Sequence, residues 1–513
     1  KSVNNSVDQH YTAREAEHPG INLLKNPLHR RQETGTSVPP DSPHACSVVI
    51  PDYNTTRQFS ELGPIVISRD GELPTGYPRF VVPPAVMRLS EQCMGSSNYL
   101  PFPTLKAAQA AAHLEQTYGD GATVIETSGL HWLEATKLTS DSWQHSGLGI
   151  SSRQAEAVAR GEQEYSTERA KIAKDEIKMR LGEYTDTEPS DIYLFPTGMA
   201  AIYWLNQALI KSGNSGPSVQ FGFPYTDTFE QRKYGPEKNM TRNVTDLRTA
   251  DYDQLAELLE STPGIRSVMT ELPSNPLLQT PDLQRLDSIL ARRAPIFIDD
   301  TVGTMFNIDD SLLPDSVAAR VTSLTKFFSS VGNVMGGSIT LRPESPYYQE
   351  VRSALDAIYQ DTLWYEDAEA LAKNSRAYPE VMQQINTNGL ALASWLDEHH
   401  VGEGKALKQV HYPGTSDTGL FDAVKKSSGG YGGLMSLEFH NPNEAYEFFD
   451  RLEVTKGPGL GTFYTLACLY TWLAHKPVDS VQKFGISPDI VRISAGIEDT
   501  AELLGRFSSA FKS

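Results

Sequence analysis

Lys326 and Asp299 are the residues whose surroundings point most directly to chemistry. Asp299 follows the apolar run Ile296-Phe-Ile298, and Lys326 follows Val321-Thr-Ser-Leu324 by two residues. Each sits where a short buried strand should end, and open α/β sheets bind ligands at the carboxyl ends of their strands. Taken singly, the aspartate reads equally well as a helix cap and the lysine as a solvated surface charge. A third segment changes the balance. Phe195-Pro-Thr-Gly198-Met199-Ala-Ala201 puts a glycine at a helix start, directly after Ile192-Tyr-Leu-Phe195. Backbone N–H groups at such a start can approach an anion closely, and the helix dipole favours negative charge there. Anion cradle, carboxylate and lysine are the three parts that pyridoxal 5'-phosphate (PLP) requires: a phosphate anchor, an acid beside its pyridine nitrogen, and an amine for a Schiff base. Tyr225, just after Val219-Gln-Phe-Gly222, offers a ring for stacking, although an aromatic there serves a core as readily.

These residues need a sheet to bring them together, and the apolar pattern supplies one. Short runs at 192–195, 219–222, 267–270, 296–298 and 321–324 alternate with helical segments, which predicts an α/β layer with a largely parallel sheet. Residues 151–182 and 364–400 each read as a long amphipathic helix. Beyond residue 380, Leu434–Phe439 and Ile490–Ile493 predict strands of a smaller α+β unit. The expected organisation is a flexible arm over 1–45 and an N-terminal extension over 46–150 without chemistry of its own. A large cofactor domain over 151–380 and a small C-terminal domain over 381–513 complete it.

Bulk properties remove several alternatives. The 513 residues carry a net charge of −19, which argues against nucleic acid or an anionic membrane as partner. The apolar stretch Phe463–Ala474 is too short to span a bilayer, and the polar first residues lack a signal-peptide core. Cys46, Cys93 and Cys468 are widely spaced, so neither a disulfide framework nor a metal site is expected. A cytoplasmic location fits this reducing pattern.

The sequence resembles the cystathionine γ-synthase family, the Cys/Met-metabolism branch of fold-type-I PLP enzymes. The matching text is Thr197-Gly-Met-Ala-Ala201, Glu271-Leu-Pro-Ser-Asn-Pro276, Ile298-Asp-Asp-Thr301, Ser323-Leu-Thr-Lys326 with Met335-Gly-Gly-Ser338, and Val491-Arg-Ile-Ser494. Five motifs in family order over about residues 150–500 make a specific match. Pro43-His44 and Gly76-Tyr-Pro-Arg-Phe80 look like the longer fungal members. The resemblance implies phosphate binding by Gly198 and Met199 with the hydroxyls of Ser323 and Thr325. It implies Tyr225 stacked on the ring, Asp299 at the ring nitrogen and Asn275 near the phenolic oxygen. Lys326 would carry the cofactor and shuttle protons, and Arg492 would grip the substrate α-carboxylate. Arg153 falls where the family sends an arginine into a neighbouring subunit's phosphate site, which implies a homotetramer with shared active sites.

The match breaks at substrate-facing positions. Ser151 stands two residues before Arg153 where the family usually has tyrosine. Gly459, in Lys456-Gly-Pro-Gly459-Leu-Gly, replaces a loop serine, and a glutamate common a few residues further on is missing, with Tyr464 nearby. The expected activity is γ-replacement on an O-acyl-L-homoserine through a vinylglycine-type electrophile, giving cystathionine when cysteine is the nucleophile. Capture by a carbon nucleophile in fungal specialised metabolism is the alternative, motivated by Gly459, and γ-elimination is a third outcome. A PLP-binding scaffold without catalysis is the non-enzyme alternative, against which Lys326, Asp299, Tyr225 and Arg492 speak.

Overall fold

The computed structural model describes residues 21–40, 42–68, 76–116, 123–134, 139–162, 165–213, 216–228, 241–244, 249–262, 264–416 and 419–511. The first twenty residues of the expected flexible arm lie outside that set. Its remainder is packed: Leu23 and Val38 are buried in the same cluster as Phe327, Leu460 and Tyr464. Strands β1 (Ser37–Val38) and β2 (Ser47–Val48) pair antiparallel there. A three-strand antiparallel sheet follows, from β3 (Tyr99–Phe102), β4 (Val124–Thr127) and β5 (Leu130–Glu134), with β5 central. Trp132 and Trp143 are buried here, in one cluster with Met199, Ile202 and Tyr203 of the helix Gly198–Lys211. The N-terminal extension therefore shares its core with the helix that begins the anion cradle.

The central sheet has seven strands: β6 (Ile192–Phe195), β7 (Ser218–Phe221), β8 (Thr241–Val244), β9 (Ser267–Glu271), β10 (Ile296–Asp299), β11 (Val317–Ser323) and β12 (Gly337–Leu341). Their order is β6-β12-β11-β10-β9-β7-β8, and β12 alone runs against the rest. This is the largely parallel sheet that the continuous apolar runs predict, because helices on both faces leave no solvated side for alternation to mark. The second sheet joins β13 (Leu407–His411), β14 (Leu434–Phe439), β15 (Thr455–Lys456), β16 (Leu466–Leu469) and β17 (Val491–Ser494) in the order β13-β14-β17-β16-β15.

Two helix expectations are corrected. Residues 151–182 form two helices, Ser152–Ala159 and Thr167–Thr185. The first ends because Gly161, at φ +77°, takes the left-handed conformation that helix termini favour. Residues 364–400 likewise divide into Tyr365–Asn374 and Tyr378–His400. Pro379 lacks an N–H to continue the preceding ladder but is well placed in the first turn of a new helix. That second helix bridges the two sheets: Met382 and Ile385 pack in the cluster around Phe327, and Leu392 and Leu396 pack against the five-strand sheet.

Candidate active site

Five parallel strands end on one side of the central sheet, and each delivers a residue there. The helix start at Gly198 follows β6, Tyr225 follows β7, Asn275 follows β9, Asp299 ends β10, and Ser323 with Lys326 closes β11. Gly198, Met199, Tyr225, Asn275, Asp299, Ser323 and Lys326 line one cavity, with Gly459 and Arg492 from the second sheet's side. Thr325 does not line it: its hydroxyl accepts from Gly336 N at 3.1 Å, which ties the Lys326 turn to the residues leading into β12. Arg153 lies outside the cavity of its own chain and pairs with the buried Asp367 at 3.1 Å. Ser151 caps the helix after it, accepting from Gln154 N at 3.1 Å. Tyr464 is buried away from the cavity, its hydroxyl donating to Val331 O at 3.3 Å.

The cradle is held from three directions. Thr197 Oγ1 accepts from Ala200 N at 2.9 Å and donates to Gly147 O at 3.1 Å, so the extension's last loop sits on the helix cap. A Cβ on Gly198 would lie 2.9 Å from Ser323 Cβ, closer than packed carbons allow. Glycine there lets the first helical N–H groups and the Ser323 hydroxyl converge on one small volume.

Asp299 lines the same cavity. Burial pushes its carboxyl up to about 6, against the hydrogen bond it accepts from Thr301 N at 3.0 Å. Glu271 beside it is held well above the usual carboxylate range, by burial and by the charge of Asp299. Neither forms an ion pair among the described residues. Two proton-hungry carboxyls and helix-start N–H groups around one cavity match a ligand with a cationic ring nitrogen and an anionic phosphate. The residues present thus fit PLP, which when bound supplies an electron sink for the amino acid's Cα.

Arg492, on β17, donates to Gly459 O at 2.8 Å and Asn275 Oδ1 at 3.2 Å, and its guanidinium lies 4.7 Å from the centre of the Tyr470 ring. Gly459 acts through its carbonyl. With φ at +123°, a serine there would be strained although space exists for its Cβ, so the departure from the family serine is one of backbone shape. Gly461 is more constrained: at φ +79° its added Cβ would fall 2.6 Å from Phe327 N and 2.9 Å from Lys326 C. Gly461→Ala should therefore displace the lysine turn. With left-handed strain alone costing about 1–3 kcal/mol, cofactor retention on dialysis should fall clearly below that of wild type. Unchanged cofactor content, read by absorbance, would show that the loop tolerates the side chain.

Several cavity residues were not singled out from sequence. Glu271 and Thr301 stood inside quoted motifs without a role, and Tyr77 and Arg79 stood in a stretch expected to have none. Arg79 is buried and donates to Asp227, to Gln144 O at 2.8 Å and to the Tyr225 hydroxyl at 2.7 Å. Burial would raise the Asp227 carboxyl, but Arg79 and hydrogen bonds from His145 and Gln144 bring it down to about 2. The signal available in sequence was a Tyr-x-Arg pair beside Gly76 and Pro78, with nothing to show what it would face.

A strand-end lysine, a strand-end carboxylate and a helix-start cradle in one cavity define a fold-type-I PLP-dependent enzyme. The chain belongs to the Cys/Met metabolism PLP-dependent enzyme family, whose model matches residues 150–512. A cystathionine gamma-synthase-like protein of Aspergillus thermomutatus is 30% identical over 94% of each chain. The cystathionine gamma-synthase of Neurospora crassa is 31% identical over 83% of this chain and 70% of its own. Among solved structures, cystathionine gamma synthase from Xanthomonas oryzae pv. oryzae, in complex with aminoacrylate and cysteine, superposes with a TM-score of 0.57 at 23% identity. That likeness, over 68% of this chain and 88% of the other, is one of fold.

Proposed function

We propose that this enzyme performs γ-replacement on an O-acyl-L-homoserine. The observation that carries the reading is Arg492, a guanidinium only 6% exposed whose hydrogen-bond partners are neutral oxygens. It forms no ion pair among the described residues, so a buried cation in the same cavity as Lys326 is left for an anion. An amino acid's α-carboxylate is such an anion and would orient Cα toward the lysine. Asp299 would hold positive charge at the cofactor's ring nitrogen, and Lys326 Nζ would take the Cα proton. Loss of a Cβ proton would then let the acyloxy group leave Cγ with its bonding electrons, and after the nucleophile adds at Cγ the protons would return to Cβ and Cα. Subunit assembly into a homotetramer and a cytoplasmic location belong to the same proposal; all three cysteines are free, as a reducing compartment would keep them.

A second reading concerns the nucleophile. The remaining wall is apolar, formed by Val48, Phe59, Phe80, Val81, Leu473 and Ala474. Of the three cations lining the cavity, Arg79 is neutralised by Asp227, and Lys326 and Arg492 serve the first substrate. Among the described residues none remains for a second carboxylate, which favours an apolar carbon acid over cysteine. Cofactor-loaded protein incubated with O-acetyl-L-homoserine and a panel of thiols and carbon acids, followed by mass spectrometry, tests both readings. A γ-substituted amino acid is expected, preferentially with carbon acids. A keto acid as sole product would replace substitution by elimination, and no conversion of any acyl ester would overturn the substrate assignment.

A further inference from the structure

Tyr225 is tied at both ends, and one of the ties comes from the N-terminal extension. Its backbone N–H donates to Glu271, whose other carboxyl oxygen accepts from Asn275 N at 3.1 Å. Its hydroxyl accepts from Arg79 Nη2 at 2.7 Å. Arg79 is buried, and its Nη1 donates to Gln144 O at 2.8 Å and to the fully buried Asp227 carboxylate. Asp227 also accepts from Gln144 Nε2 at 2.9 Å and lies 3.1 Å from His145 Nδ1. Trp143 Nε1 donates to Pro78 O at 3.1 Å, so the arginine's own turn is bound to the helix Thr139–Ser146 that carries these partners. A buried cation is costly unless it is paired, and Asp227 offsets that cost. The guanidinium fork is thereby fixed, with one arm on the carboxylate and the other on the phenol.

We propose that Arg79 is a positioning residue for Tyr225, by which the N-terminal extension fixes the ring that stacks on the cofactor from within the same chain. Glu271 anchors the tyrosine's backbone, but the side chain can still turn about its own torsions. A hydrogen bond at the far end of the ring removes that freedom. Stacking is sensitive to the angle and offset between two planes, so a ring held at both ends binds a planar ligand better than one held at its backbone alone. The arginine acts through the phenol, and its charge is already balanced by Asp227. The extension is thus a working part of the cavity wall, although its sequence carries no motif of the cofactor domain.

The inference rests on the reading of Lys326 and Tyr225 as the cofactor's attachment and stacking residues, and the experiment separates the two. Cofactor-free full-length wild type, Arg79→Lys, Tyr225→Phe and the double variant are titrated with PLP, and affinity is read from visible absorbance. Lysine keeps a charge beside Asp227 but cannot reproduce a fork that reaches carboxylate, carbonyl and phenol together. With Tyr225 present, Arg79→Lys should weaken PLP binding roughly tenfold, the worth of one hydrogen bond from a charged donor. In the Tyr225→Phe background the same substitution should change affinity by about twofold or less, because the hydroxyl it acts through is gone. Equal losses in both backgrounds, or none in either, would overturn the proposal. If Arg79→Lys does not fold, Tyr225→Phe decides the matter, since it keeps the ring and loses only the tether. Unchanged PLP affinity in that variant would overturn the proposal, and a clear loss would uphold it. Borohydride fixing PLP at a lysine other than Lys326 would remove the reading of the site itself, whereas attachment at Lys326 with additive losses would remove Arg79 alone.

Discussion

Lys326→Ala protein should retain no PLP after borohydride treatment and dialysis, and its turnover should fall by on the order of 10³-fold or more. Lys326 is the sole lysine among the described residues that line the cavity. Its position is set twice over. Thr325 and Gly336 tie its turn to β12, and Gly461 packs against its peptide where no side chain fits. A neighbouring lysine therefore has no path to substitute for it. In the proposed role the side chain serves both as cofactor attachment and as proton carrier, so its loss would remove two steps at once. Melting temperature and circular dichroism should remain near wild type, since Lys326 is half-buried at the cavity wall and not part of the packed core. Borohydride-fixed PLP on another lysine, located by peptide mass spectrometry, would show that the carboxyl edge of the sheet had been misread.

Arg492→Ala should leave cofactor binding intact while kcat/KM for the amino-acid substrate drops roughly 30- to 5,000-fold, the equivalent of about 2–5 kcal/mol for one partner of a buried charge pair. The guanidinium touches Asn275 and Gly459, not the phosphate cradle, so cofactor absorbance should be unaffected. Arg492→Lys should recover only part of the loss, because an ammonium cannot make the two parallel bonds a carboxylate accepts from a guanidinium. The effect should also be specific: ester hydrolysis of a substrate lacking the α-carboxylate should not distinguish the variant. If cofactor content and kcat/KM fell together, Arg492 would be holding the cavity's shape and another group would bind the substrate.

Much of the site was legible because local rules placed it. A glycine opening a helix after an apolar strand, and charged residues at strand ends, have meaning within a few residues of sequence. In a largely parallel sheet those ends necessarily fall on one edge. Gly198, Tyr225, Asn275, Asp299, Ser323 and Lys326 therefore meet as their strand-end positions imply. Helix extents at 151–182 and 364–400 were misjudged because the apolar period continues through Gly161 and Pro379, and only backbone geometry decides where a helix stops. Thr325 stood in the right motif, but a one-residue step in a tight turn directs its hydroxyl to Gly336 instead of the cavity.

What only the tertiary structure decided is the role of the N-terminal extension and of the altered loop. Tyr77 and Arg79 lie about 250 residues before Lys326 in sequence, in a stretch with no periodicity that could aim them. Their placement depends on the buried core that Trp132, Trp143 and Leu148 share with the Gly198–Lys211 helix, a long-range packing contact with no local trace. At Gly459 the sequence determined a missing side chain. The fold decided that the backbone conformation, left-handed in φ and tied by its carbonyl to Arg492, is what that position contributes. Residue type sets which chemistry is possible, whereas the distance between charges far apart in sequence is fixed only when packing closes the loops between them.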